Sequence, residues 1–262
     1  MRGKESFALE KLYRGCICQM AEYPAAGVDE LRRLFNHRGD VTAGPGGVDY
    51  LEVDDGCVPA MCGGAKRAEE TKVLPCSHGG DDVVGAIYRR RKLFCCIAKT
   101  VVRRTMIVHY GRLPENPLPG PVNDMVKAYR WQLETQGFKP GDIAFTGDSA
   151  GDTLAVTTFD AAREQGRPMP AACISMSPWA GADTSGESCD TNAHRDALVS
   201  RALQGAGRTT PVGRERRPRG AARPCCTPTN EARSRFAQAA TRPTGRSARK
   251  SPPTLYEGFV MS

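Results

Sequence analysis

The sequence predicts an α/β fold, a mostly parallel sheet with helices on both faces. Short apolar runs alternate with amphipathic helical stretches from about residue 73 to 180, which is the period of βαβ units. One of those runs, Ile143-Ala144-Phe145-Thr146, leads straight into Gly147-Asp148-Ser149-Ala150-Gly151. Small and apolar residues follow, so the segment reads as strand, sharp turn, helix, with flanking glycines that tolerate the turn. The alternation fails after about Ser200, so the sheet is expected to be incomplete at its C-terminal end.

Residues 5 to 20 carry Leu9, Leu12 and Tyr13 on one side of a short helix. Ala26 to His37 is a firmer helix, because Leu31, Leu34 and Phe35 recur at helical spacing and Gly39 can end it. Val48 to Val53 suggests a strand and Val58 to Met61 a second, with Asp54-Asp55-Gly56 as a hairpin-like turn. Lys66 to Lys72 is polar. Val73-Leu74-Pro75-Cys76-Ser77 is a short apolar run in which Pro75 sits awkwardly for a central strand. Ala86 to Thr100 reads as an amphipathic helix with Arg89, Arg90, Arg91 and Lys92 facing solvent. Thr105 to Tyr110 is the next strand. Pro121 to Gln136 is a helix with Pro121 at its first turn, an apolar stripe through Met125, Tyr129 and Leu133, and Gly137 as its stop. The helix after Ser149 runs to about Gln165, and Ala172 to Met176 is a further strand ending at Ser177-Pro178-Trp179. This gives three regions: a helical, cap-like segment over 1–45, an α/β core over 46–200, and a basic tail over 201–262.

The chain has 262 residues and a net charge of +8. From Arg201 onward there are thirteen Lys or Arg against three Asp or Glu, so the basicity belongs to the tail. That tail is rich in Arg, Pro, Thr, Ala and Gly and has almost no apolar periodicity, a composition that does not fold alone. Its arginines lack interleaved aromatics, so nucleic acid is not the expected partner. No apolar run is long enough for a membrane span. The N-terminus lacks the apolar core of a signal peptide, and a cytoplasmic location is the default expectation. The eleven cysteines have no metal-ligand spacing, and reduced thiols are expected. Nothing in the sequence points to an oligomeric state.

Functional residues gather at the carboxyl ends of strands in such sheets. His78, His109, Ser149 and Ser177 all fall at or just past predicted strand ends. A serine held at a sharp turn before a helix suits nucleophilic attack. The backbone N–H of Ala150 can then stabilise the developing oxyanion, with further donors from a glycine-bearing loop such as His78-Gly79-Gly80.

Taken together, His78-Gly79-Gly80, Tyr110 with Arg112-Leu113-Pro114-Glu115-Asn116-Pro117, Gly147-Asp148-Ser149-Ala150-Gly151 and Ser177-Pro178-Trp179 resemble the hormone-sensitive-lipase-like branch of the α/β-hydrolases. They occur in that family's order and approximate spacing over residues 25 to 200. The resemblance implies an α/β-hydrolase fold and hydrolysis of carboxylic esters of small or medium acyl chains through an acyl-enzyme at Ser149. It implies no cofactor and no metal, and a small-molecule ester as partner. Ser149 matches the nucleophile, and Gly79, Gly80 and Ala150 match the oxyanion hole. His78 matches a loop histidine that shapes the loop and is not the base. Asp148 matches the acidic residue before the serine, equally readable as a turn-capping carboxylate.

The sequence departs from the family in four places. His109-Tyr110-Gly111-Arg112-Leu113-Pro114-Glu115 stands where it has Asp-Tyr-Arg-Leu-Ala-Pro-Glu. Asp81 and Asp82 stand where it has a third loop glycine and an aromatic, and a carboxylate there opposes an oxyanion. Asp152 stands where it has a glycine. Beyond residue 200 neither its acid nor its base motif is found, and no histidine follows His194. A frameshifted or decayed gene would leave such a tail. The alternative expectation is therefore a catalytically inactive hydrolase-like protein.

Overall fold

Six strands hydrogen-bond in the order β1-β2-β4-β3-β5-β6 in the computed structural model, which describes residues 3–22, 27–36, 43–54, 58–179 and 187–199. They are β1 (Val48–Val53), β2 (Ala60–Ala65), β3 (Glu69–Ser77), β4 (Arg103–Val108), β5 (Ala144–Asp148) and β6 (Ala172–Met176). β1 and β2 pair antiparallel, as do β2 and β4, while β3 runs parallel to both β4 and β5, and β5 to β6. The mostly parallel α/β expectation is met. His37, the Asp55-Gly56 turn and the basic tail lie outside the described residues.

Alternation along the strands sorts side chains onto two faces. On one face Val73, Met106, Val108, Ile143 and Phe145 pack with Met125 and Tyr129 of α4 (Gly120–Glu134) and Leu154 and Ala155 of α5 (Ala150–Glu164). On the other, Leu74, Cys76 and Ile107 pack with Ile87 and Phe94 of α3 (Ile87–Thr100). Tyr129 meets Phe145 edge to face at 5.3 Å. The helices therefore cover both faces of the sheet. α1 (Lys4–Glu22) and α2 (Val28–Asn36) precede it. Arg32 of α2 is held by Glu115 and by the Val83 and Leu113 carbonyls, so α2 docks on the loops at the carboxyl end of the sheet.

Three boundaries differ from expectation. β2 begins at Ala60 and runs through Gly63 and Gly64 to Ala65. Those glycines have weak strand propensity, but Gly63 packs against Cys95 and Thr105, where a Cβ would not fit. β3 reaches back to Glu69, into the polar stretch ahead of the apolar run from Val73. Pro75 lies inside this central strand, paired in register with Met106. It is tolerated because the β3–β5 ladder is interrupted there. The Val73–Ile143 bridge and the Cys76–Thr146 pair flank a gap that falls on Leu74 and Pro75.

Candidate active site at the β5–α5 turn

Ser149 occupies the single position between β5 and α5, with φ 55° and ψ −122°. Its N–H donates to Met176 O at 3.1 Å, and its carbonyl accepts from Asp152 N and Thr153 N at the start of α5. The turn demands glycine on both sides. A Cβ on Gly147 would fall 2.5 Å from the Gly151 carbonyl carbon, and one on Gly151 would fall 2.5 Å from the His78 carbonyl. The backbones of the Ser149 turn and the His78 loop are therefore in direct contact. Ser77 Oγ locks that contact by donating to Gly151 O at 2.5 Å. Ser149 is exposed while Ala150 behind it is buried.

Asp148 ties the two segments together. Its Oδ1 accepts the Gly79 N–H at 2.9 Å, and its Oδ2 meets Arg90 Nη2 at 2.5 Å. This carboxylate anchors the glycine loop in the structure. The Gly79 amide, expected among the oxyanion donors, donates to Asp148 in this structure. The amides of Gly80 and Ala150 carry no hydrogen bond to a described residue. Gly80 lies at φ 140°, and its carbonyl accepts from Val83 and Val84, which turns the loop back on itself.

His78 is fully buried and stacks on Tyr110 at 4.5 Å between centroids. Tyr110 Oη donates to His78 O at 2.5 Å. Burial pushes the His78 pKa down to about 3, so the imidazole is neutral and braces the loop. His109 directly follows β4, which β3 separates from β5, and its backbone N–H donates to Pro59 O on the opposite side. His194 is exposed in the short segment after Ser188–Thr191. Among the described residues no histidine hydrogen-bonds Ser149.

Two features escaped the sequence. Arg90 was expected to face solvent with its basic neighbours, yet it turns inward to Asp148. Its position was nevertheless informative: it lies three residues after Ile87 and four before Phe94, both buried, so it shares their helix face. Arg89 and Arg91 lie over the rings of Phe35 and Tyr50. Asp152 is buried on the first turn of α5, where it accepts a short hydrogen bond from Ser175 Oγ. Burial raises its pKa to about 6. Asp81 and Asp82 both adopt positive φ, 58° and 56°. Burial lifts Asp81 to about 6, and burial plus the Asp81 charge lift Asp82 to about 7. No cluster of three metal-ligating side chains occurs among the described residues, and their cysteines are free.

A family profile described as an alpha/beta hydrolase fold matches residues 75–240. A solved esterase of the bacterial hormone-sensitive lipase family superposes with a TM-score of 0.71 at 31% identity, covering 81% of this chain and 73% of that one. The chain belongs to the hormone-sensitive lipase family of α/β-hydrolases. An acetyl-hydrolase of Streptomyces hygroscopicus is 38% identical over 134 residues, and an esterase of Acinetobacter venetianus 33% identical over the same length. Each alignment covers 51% of this chain and 44% of the relative, so the hydrolase chain spans under half of those relatives. No helix among its described residues is long and apolar enough to cross a membrane.

Proposed function

We propose that this hydrolase cleaves carboxylic esters of small or medium acyl chains through an acyl-enzyme at Ser149. The observation that carries this reading is the placement of Ser149. It is exposed on a strained turn between two glycines, next to the Ala150 amide, and the turn packs against the His78-Gly79 backbone. Ser149 Oγ adds to the ester carbonyl carbon, and the carbonyl electron pair moves to oxygen, where Gly80 and Ala150 donate. The tetrahedral carbon then expels the alkoxide, which takes the serine proton, and water repeats the addition to release the acid. The acetyl-hydrolase and esterase names of the relatives support small acyl groups. Residues 46–200 would be the core that supplies this chemistry, with 1–45 as a cap and 201–262 as a basic appendage.

The test is turnover of p-nitrophenyl acetate and butyrate by the wild type and by Ser149→Ala. Loss of the rate in the variant is expected, and equal rates reject the reading. An inactive hydrolase-like protein is the second reading. It is favoured by the absence of a histidine on Ser149 among the described residues and by the acids at 81 and 82. Covalent labelling of Ser149 by a fluorophosphonate probe would count against it.

A further inference from the structure

A cavity of about 340 Å³ opens beside the end of β4, and Ser149 does not line it. Its size lies within the range of small-ligand sites. Two guanidinium groups stand in its wall, Arg32 and Arg112. Arg32 is fully engaged: it grips both Glu115 oxygens at 2.8 and 2.7 Å and donates to the Val83 and Leu113 carbonyls. That contact draws the Glu115 pKa down to about 2, so the acid in the wall is ionised and already matched.

Arg112 is different. Its Nη1 donates to Gly85 O at 2.6 Å. Its Nε–Nη2 edge makes no hydrogen bond, and no ion pair, with a described residue. Burial and the neighbouring Arg32 lower its pKa, outweighing the upward pull of Tyr110 and Glu115. His109 lines the same cavity. Burial and Arg112 hold its pKa below the usual value, so it offers one N–H without adding charge. The wall therefore presents one unmatched positive charge with a planar two-donor edge. A carboxylate fits that edge in charge and shape.

We propose that this cavity binds a small organic carboxylate, gripped by the Nε–Nη2 edge of Arg112 and hydrogen-bonded by His109. The site stands at the same edge of the sheet as Ser149. β3 separates the two strands, so they lie about two strand spacings, roughly 10 Å, apart. The carboxylate is either a free acid or the far end of a half-ester whose ester group reaches Ser149. Only the second source rests on Ser149 as nucleophile.

Calorimetric titration of the full chain with sodium butyrate, against butyramide as neutral isostere, tests the site. Butyrate is expected to bind at least about tenfold more tightly, as a charge-assisted pair requires. Arg112→Gln should remove the difference, and His109→Asn, which leaves the guanidinium in place, should weaken butyrate severalfold. Equal binding of the two compounds overturns the site, as does unchanged butyrate affinity in His109→Asn and Arg112→Gln. Turnover of monomethyl azelate against methyl nonanoate separates the sources. A kcat/KM advantage for the half-ester that disappears in Arg112→Gln assigns the carboxylate to the substrate. No advantage, with butyrate binding intact, assigns it to a free acid. No turnover of either ester counts against the Ser149 reading, while the butyrate titration still decides the site.

Discussion

Ser149 holds a backbone conformation that costs a residue with a Cβ on the order of 1–3 kcal/mol. The Met176 carbonyl and the first turn of α5 hold it there. Glycine would adopt the same angles without that cost. Ser149→Gly is therefore expected to be more stable than Ser149→Ala by about 1 kcal/mol, although both lack the Ser149 hydroxyl. Equal unfolding midpoints would show that the turn is relaxed. Asp81 and Asp82 raise a second issue at this scale. Protonated, they are compatible with an anion at the neighbouring Gly80 amide; ionised, they oppose it. Because burial lifts them to about 6 and 7, they gain charge as pH rises through that window. Turnover by Ser149 should then fall between about pH 6 and 8. Asp81→Gly removes one charge and the positive-φ strain, and should move the fall to higher pH. A pH–rate profile identical in the two proteins would exclude an effect of Asp81. The residue types at 81 and 82 were legible in the sequence as departures from the family. Their protonation was not, because it comes from burial in the folded chain.

Helix α3 shows what an element contributes beyond its own segment. Ile87, Phe94, Cys95 and Ala98 bury one face against the sheet, and Arg90 on that face reaches Asp148. The connection runs from α3 through Asp148 to the Gly79 amide, so a helix before β4 fixes the loop that follows β3. Arg90→Gln removes the ion pair and leaves Asp148 with Gly79 alone. Displacement of the loop by about 1 Å is worth roughly 10²-fold in rate. Ester turnover should fall by that order with KM little changed, and Arg90→Lys should recover part of it. A rate within twofold of wild type in Arg90→Gln would show that Asp148 holds the loop unaided. The strands and helices from residue 73 to 176 were legible because their apolar periods are uninterrupted. Gly63, Gly64 and Pro75 were the misleading positions. Each is poor in a strand by intrinsic propensity, yet Gly63 is placed by the close approach of Cys95 and Pro75 by the gap in the β3–β5 ladder, while Gly64 is carried along in the same strand with open space around it. The Ser149 turn was legible for the opposite reason, since its glycines are demanded by local geometry and appear directly as sequence.

At the scale of the whole molecule, the shifted groups set the dependence of stability on pH. Asp81, Asp82 and Asp152 are raised to about 6, 7 and 6, and Asp160 is also raised, all chiefly by burial. In the unfolded chain these carboxyls ionise near 3.9. The folded state therefore retains protons that the unfolded state has lost, and their contribution declines as pH rises from about 4 through 7. His78, lowered to about 3, and His109, also lowered by burial, act the other way. The unfolded imidazoles take up protons below about 6.5, so these two groups cost stability as pH falls. Four acids oppose two imidazoles across the same window, and the acids prevail. Further down, Glu115 and Glu69, both held low by ion-paired partners, lose their contribution as they protonate. The stability maximum should accordingly lie at roughly pH 4–5, on the acid side of the usual range. The thermal unfolding midpoint is expected to be higher at pH 5 than at pH 8. Asp152→Asn keeps an acceptor for Ser175 but cannot ionise, so it should flatten the decline. A midpoint that rises from pH 5 to pH 8 would mean that these carboxyls are solvated in the folded protein, and with that the charge argument at Asp81 would fall too.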